Sequence, residues 1–305
     1  MNQKSILIQL TVLKFVGNLS VMSKVILITG TSSGFGRLTA TTLAADGHCV
    51  VAAMRDTKGR NVAAAQDMSQ LDNIEVVDMD VTSDQSVKDA VDNVVQRYGK
   101  IDVLVNNAAI TGFGVAEAHS LDTYRAMFET NFYGVLRTYF AVLPVMRAAK
   151  CGLIINLSTG ASGFSLPYMV PYLASKFAME TMVEGIDSEL RDFGIESVAI
   201  PCGVYPTGMA DKGGYSADKP EITAAYPDAG KRMAGLATAL FGKMKEFAMD
   251  PQTIADGIKK LVDMQKGSRP LRYPLDAIAE GTDEEFISAR AKIKRKWAAK
   301  YGFDI

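Results

Sequence analysis

Short apolar runs alternate along the chain with longer stretches of helical spacing. The runs cover 24–29, 49–54, 74–79, 102–106, 152–157 and 196–200, and β-branched and leucine side chains dominate them. They read as buried strands. Apolar positions recurring three and four residues apart predict amphipathic helices near 35–46, 59–69, 84–98, 122–149 and 171–193. Near-continuous apolar strands belong to sheets covered on both faces, and strand–helix alternation joins them as parallel neighbours. The fold class expected is α/β, a doubly wound parallel sheet with helices on both faces. Such sheets bind ligands beyond the carboxyl ends of their strands, where the strand order switches.

Two segments depart from this rhythm. Residues 208–250 are rich in Gly, Ala, Met and Lys and carry no strand pattern. Residues 1–21 hold an apolar stretch interrupted by Gln9 and Lys14. That stretch is too short to span a bilayer, which takes ~20 predominantly apolar residues, and it lacks a clear small-residue cleavage site. The expected organisation is an N-terminal extension, 1–21, outside the fold, and a single domain over 22–305 with an insertion at 208–250.

Composition narrows the classes. With 48% hydrophobic and 22% charged residues, the 305-residue chain can bury a large core. A net charge of −1 gives no reason to expect nucleic acid. Cys49, Cys151 and Cys202 are scattered and odd in number, which suits reduced thiols and a cytoplasmic location. His48 and His119, the only histidines, have no ligand spacing, so no protein-held metal is expected.

Two patterns carry candidate chemistry. The strand Lys24–Thr29 runs into Gly30-Thr-Ser32-Ser33-Gly34-Phe35-Gly36, followed by a helical stretch. Gly30 permits a tight turn, Gly34 lets a pyrophosphate approach the backbone, and Gly36 lets the helix sit close to the strand. The helix N-terminus offers free N–H groups and a positive dipole end to phosphates. The second pattern is Tyr172-Leu-Ala-Ser-Lys176. On a helix these two side chains share a face. A phenol beside an ammonium can exchange a proton with an alcohol or carbonyl oxygen near neutral pH.

Together these patterns resemble the short-chain dehydrogenase/reductase family over about residues 22–207, with Thr29-Gly30-x-x-x-Gly34-x-Gly36 and Tyr172-x-x-x-Lys176 in the right order. Asp80-Val81-Thr82, Asn106-Asn107-Ala108-Ala109, Asn131 and Gly203-Val-Tyr205-Pro-Thr207 match further family motifs. The resemblance implies a seven-stranded sheet whose last strand lies near Pro270–Pro274, and a substrate lid in the 208–250 insertion. It implies catalytic roles for Asn131, Thr159, Tyr172 and Lys176. It implies dinucleotide contacts from Gly30, Ser32, Ser33, Gly34, Phe35, Gly36, Arg55, Asp80, Val81, Asn107, Ala108, Tyr172, Lys176, Gly203, Tyr205 and Thr207. Three positions depart from the pattern. Ala109 replaces a glycine, Cys202 replaces the loop proline, and Thr159 stands where the family has serine. Threonine keeps the hydroxyl but restricts its rotamer. Ser158 is the alternative, although neighbours on a strand point to opposite faces.

At the end of the second strand, Met54 stands where an NAD-binding acid belongs and Arg55 follows. A guanidinium suits a 2′-phosphate, so NADP(H) is expected over NAD(H); the bland alternative pairs Arg55 with Asp56. The run Ala53-Met-Arg-Asp-Thr57 with Gly59-Arg-Asn61, and the Tyr205-Pro-Thr207 loop, are similar to the hydroxysteroid and retinol dehydrogenase-like branch. That implies a lipophilic alcohol or ketone, with a general carbonyl or 3-ketoacyl reductase, or a non-catalytic NADP-binding protein, as alternatives. In the insertion, Met209, Met233, Leu236, Leu240, Phe241 and Met244 are candidates to line an apolar pocket. The basic tail 289–300, with Trp297, reads as a solvated helix, a membrane-surface role being the alternative. The family habit of pairing through long helices implies a homodimer or homotetramer. A small-molecule alcohol or carbonyl substrate is expected, and no nucleic acid and no membrane span.

Overall fold

Val25–Thr29 forms β1, a strand buried along its whole length. Chain order then runs α1 (Gly34–Ala45), β2 (Cys49–Met54), α2 (Val62–Ser69), β3 (Ile74–Asp78), α3 (Asp84–Tyr98), β4 (Val103–Asn106), a two-residue β5 (Gly112–Phe113), α4 (Leu121–Phe128) and α5 (Gly134–Ala149). The second half holds β6 (Gly152–Leu157), α6 (Val170–Leu190), β7 (Ile195–Ile200), a two-residue β8 (Tyr215–Ser216), α7 (Pro220–Ala225), α8 (Ala229–Glu246), α9 (Gln252–Asp263) and α10 (Thr282–Tyr301). This computed structural model describes residues 23–208 and 215–303. The expected extension 1–21 and Met209 lie outside the described residues.

Six parallel strands make the main sheet, in the order β3-β2-β1-β4-β6-β7. Side chains alternate across it with the period of two that a strand imposes. Ile26, Ile28, Val50 and Ala52 point into one core layer with Leu43 of α1 and Ile254 and Ile258 of α9. Val25, Leu27, Val51 and Ala53 point into the other, with Val87 and Val91 of α3, Tyr139 of α5 and Val183 of α6. Both faces are covered, which is why these strands read as continuous apolar runs rather than alternating ones.

The sheet has six strands, not the seven expected. Near Pro270–Pro274 the chain does run beside β7, but it makes only two separate parallel bridges, Ala199 with Arg272 and Cys202 with Leu275. Ala199 donates to Leu271 O at 2.9 Å, Tyr273 to Ala199 O at 2.9 Å, Leu275 to Pro201 O at 2.9 Å and Gly203 to Leu275 O at 3.0 Å. The missing rung between them would need an N–H at Pro201, and proline has none. Arg272 still anchors this segment. Its guanidinium bonds Glu180 at 2.8 Å and Glu184 at 2.6 Å, both on α6, and Glu184 also takes Arg290 at 3.0 Å and Lys294 at 2.6 Å from α10. Lys294 and Arg272 hold the Glu184 carboxyl down at about 2 despite burial.

The helix expected over 122–149 is interrupted. A π-helical turn, Glu129–Tyr133, separates α4 from α5. Such single turns cluster at functional sites, and Asn131 sits at the centre of this one. The insertion folds mainly as α7 and α8 and is tied down at its start. Tyr215–Ser216 pairs with Gly112–Phe113, and the Asp218 carboxylate accepts from Ser120 N at 2.7 Å and Thr123 Oγ1 at 3.0 Å. Met244, one of the expected pocket residues, is buried in the α1 side of the main core instead, and Phe241 is exposed.

Asp46, His48 and Asp263 come close enough together to hold an ion. The Lys259 ammonium already bridges the two carboxylates, at 2.9 Å and 2.6 Å. His48 Nδ1 accepts from Lys24 N at 3.4 Å, which leaves the proton of the neutral ring on Nε2, the nitrogen facing Asp46. The three cysteines are free thiols.

Candidate active site

The strand order switches between β1 and β4, and a groove of about 490 Å3 opens over their carboxyl ends. Gly30 makes the turn out of β1 with φ +71°; a Cβ there would lie 2.8 Å from Ala108 Cα. Asn107 ties the turn to β4. Its amide donates to Thr29 O at 2.8 Å and Gly30 O at 2.9 Å, while Thr29 Oγ1 accepts from Asn107 N at 3.1 Å and Ala108 N at 3.0 Å. Ser33 occupies the N-cap of α1, yet its side chain caps nothing and no acid stands in the first turn. The first N–H groups of α1 are therefore left for a ligand, and their partial positive charge selects an anion.

The groove collects Gly30, Ser32, Ser33, Gly34, Phe35, Arg55, Asp80, Val81, Asn107, Ala108 and Thr207 from the expected dinucleotide contacts. Gly36 lies beneath, where the helix meets the turn. Gly203 and Tyr205 do not line it. Tyr205 is buried, stacks edge-on against Phe35 at 5.4 Å and donates to Leu275 O at 3.0 Å. Gly203 lies against the Asp276 carboxylate, where any Cβ would meet Oδ1 at 2.4 Å.

Arg60 and Asn61, which the sequence marked only as part of the branch resemblance, and Thr130, which it did not mark, also line the groove. A local signal for Arg60 and Asn61 exists. Asp56 adopts φ +55°, its carboxylate accepts from Arg60 N at 2.8 Å, and Asn61 Nδ2 donates to Arg55 O at 2.7 Å. An Asp four residues before Arg, with Gly59 between, is the mark of that turn. It brings Arg60 to the same end of the groove as Arg55. Asp56 is thus used by a backbone N–H, and neither arginine forms an ion pair among the described residues.

Beyond the other end of the groove stand the four residues expected to do chemistry. Tyr172 is 8% exposed, Lys176 4% and Asn131 0%. The Thr159 side chain lies close enough to the Tyr172 phenol to favour its ionised form. Ser158 Oγ is buried and bonds no described residue. Of the two hydroxyls, Thr159 is the one that faces the tyrosine. Lys176 Nζ donates to Leu157 O at 2.8 Å. Asn131 Oδ1 accepts from Ile110 N at 2.9 Å, and Nδ2 donates to Ile110 O at 2.9 Å and Ser175 Oγ at 3.0 Å. The asparagine thus clamps the π turn to α6 and to Ile110, which itself lines the groove.

Burial governs the protonation of the pair. It pushes the Tyr172 phenol up, well above its usual range, and Thr159 only partly opposes that. It pulls Lys176 down to about 8. The expected lowering of the phenol by the ammonium does not occur here: burial dominates at Tyr172, and Lys176 spends a bond on Leu157. A neutral buried phenol beside a titratable ammonium is equipped to donate a proton. Cys202, buried beside Lys176, is pushed up to about 12 and stands in its loop as a neutral thiol.

The sequence pattern of the short chain dehydrogenase family matches residues 24–215. The chain is 36% identical over 188 residues to 3-ketodihydrosphingosine reductase of Bacteroides thetaiotaomicron, covering 62% of this chain and 66% of that one. It is 35% identical over 196 residues to estradiol 17-beta-dehydrogenase 1 of Rattus norvegicus, covering 62% and 56%. Among solved structures, a short-chain dehydrogenase from Streptomyces avermitilis superposes with a TM-score of 0.73 at 29% identity, over 92% of this chain and 97% of that one. The match over residues 24–215 covers more than half of the chain, and its fold is that of a solved short-chain dehydrogenase: the chain belongs to the short chain dehydrogenase family.

Proposed function

We propose that this enzyme is an NADP(H)-dependent reductase and dehydrogenase of a lipophilic ketone, aldehyde or alcohol, steroid- or retinoid-like in character. Thr159 set against the buried Tyr172 phenol, with Lys176 buried one turn along the same helix, carries the reading. The groove suits the dinucleotide: the free N–H groups of α1 would hold its phosphates, Asp80 and Val81 its adenine, and Arg55 with Arg60 a 2′-phosphate. When bound, the nicotinamide supplies or accepts the hydride. Thr159 orients the substrate oxygen. Tyr172 donates its proton to that oxygen during reduction and takes it back during oxidation. Lys176, as an ammonium, offsets the phenolate that forms, and Asn131 holds the surrounding turn in place. The relatives named for estradiol and 3-ketodihydrosphingosine support a lipophilic substrate, as does the apolar cluster of Val115, Ala118, Tyr168, Ile222 and Ala229 beneath the insertion. We assign 208–250 as the lid of a single domain.

The two unpaired guanidiniums support NADP(H). Hydrogen bonds to charged groups contribute about 1.5–3 kcal/mol, so Arg55→Ala should lower kcat/KM for NADPH by ~10- to 100-fold and leave NADH nearly unchanged. A wild-type enzyme that prefers NADH would refute this assignment.

The depressed Lys176 sets a pH limit. Below about 8 the side chain is charged and supports phenolate formation. As pH rises through that value the charge is lost, so kcat/KM for reduction should fall above pH 8 by up to tenfold per unit. A profile flat to pH 10 would show that Lys176 does not titrate there. We also expect a homodimer or homotetramer, since Tyr133, Phe140 and Phe177 are exposed on the long helices and a hollow of about 1030 Å3 lies between α3 and α5.

A further inference from the structure

The last helix, α10, is organised into three stripes. Its inner stripe, Ile287, Ala291, Lys294 and Ala298, faces the protein, with Ala298 fully buried and Lys294 on Glu184. A second stripe, Ile293, Trp297 and Tyr301, follows the i, i+4, i+8 spacing of one helix face, and its members are 66%, 55% and 67% exposed. Phe303, 59% exposed, folds back to stack on Trp297 at 6.5 Å, and Tyr301 packs on it at 4.5 Å. Lys292, Lys296 and Lys300 form the third stripe, one position before each apolar residue. All three are exposed, and none makes an ion pair among the described residues.

A solvated helix does not account for this. Water-facing positions gain nothing from two aromatic rings, an isoleucine and a third ring folded over them, and contiguous exposed apolar patches mark interaction surfaces. The neighbouring lysines say which surface. A protein partner's apolar groove would leave three ammoniums to be matched one by one. An anionic bilayer matches them collectively, while Trp and Tyr settle at the boundary between headgroup and acyl chain. We propose that the outer face of α10 docks on anionic lipid membranes, with the Ile293–Trp297–Tyr301 stripe at the acyl boundary and Lys292, Lys296 and Lys300 among the headgroups. No helix among the described residues is long and apolar enough to cross a membrane, so this is attachment from one side. The docked face continues toward the site. Phe286, at the start of α10, packs edge-on at 5.9 Å against Phe164, in the segment between Thr159 and Tyr172.

Trp297 is the only tryptophan, so its emission reports this face alone. The full chain should be mixed with phosphatidylcholine vesicles and with vesicles containing phosphatidylserine. The expected result is a shift of Trp297 emission to shorter wavelength and co-sedimentation with the anionic vesicles only. Each lysine near an anionic leaflet changes the partition constant about fivefold, so Lys292→Gln/Lys296→Gln/Lys300→Gln should bind roughly a hundredfold more weakly. Its turnover of a soluble substrate should be unchanged, which separates lost docking from a lost fold. Wild-type binding should also fall as salt shortens the Debye length. Equal binding to neutral vesicles, or no shift with either, would overturn the proposal. So would a blue shift that grows with protein concentration and molecular mass in the absence of lipid, which would give the face to a second copy of the chain.

Discussion

Tyr172→Phe is expected to remove ~10²–10⁴-fold of kcat, the usual span of a positioned acid–base group, while the dinucleotide binds as in the wild type. The substitution deletes one oxygen. The ring keeps its packing with Met127 and Leu173, so the fold should hold. What disappears is the proton donor. Thr159 cannot supply a proton without one to replace it, and the Cys202 thiol donates to Ile200 O at 3.4 Å. Two companion variants separate the hydroxyls. Thr159→Val keeps the branched shape and should lose turnover with the tyrosine variant. Ser158→Ala should not, because its oxygen bonds no described residue. The assay is NADPH oxidation against a panel of soluble ketones, with NADPH affinity measured separately by fluorescence. A folded Tyr172→Phe enzyme with undiminished turnover would end the assignment.

The sheet was legible because every strand is buried on both faces, so each appeared as an apolar run whatever its register. The break at Asn131 was not. A π turn keeps the helical spacing of its neighbours, and 129–133 therefore merged into one long helix when read as periodicity. The seventh strand failed for a different reason. Its own segment pairs, but Pro201 on the partner strand withholds a rung, and a proline's effect on a neighbouring strand cannot be read before the pairing is known. At the site, motifs located the groove and the Tyr172–Lys176 pair, and the family spacing to the tyrosine pointed to Thr159 while strand alternation turned its neighbour Ser158 the other way. Burial reversed the expected direction at Tyr172, since spacing shows which charge is near but not how much water is absent. Arg60 was read only as part of a branch resemblance, because its place in the groove depends on a turn held by Asp56, not on a strand end.

The glycine turn allows a second large effect to be assigned to one atom. A Cβ on Gly36 would lie 2.5 Å from Gly30 O and 2.5 Å from Asn107 Nδ2. Neither can yield. Gly30 O belongs to the turn itself, and Asn107 Nδ2 is the donor that ties that turn to β4. Helix α1 must therefore move off the strand, taking the N–H groups of its first turn with it. Overpacking of this kind costs about 1–3 kcal/mol, and a displacement of ~1 Å at a ligand-orienting element costs about a hundredfold. Gly36→Ala is thus expected to lower Tm by several degrees and to weaken NADPH binding about a hundredfold. Gly47→Ala is the control. Gly47 closes the other end of the same helix at φ +87°, and a Cβ there would meet nothing within 4 Å. It should cost a similar ~1–2 kcal/mol through backbone strain alone and leave NADPH affinity intact. Equal affinity in the two variants would mean that the close approach of α1 to β1 does not position the phosphates.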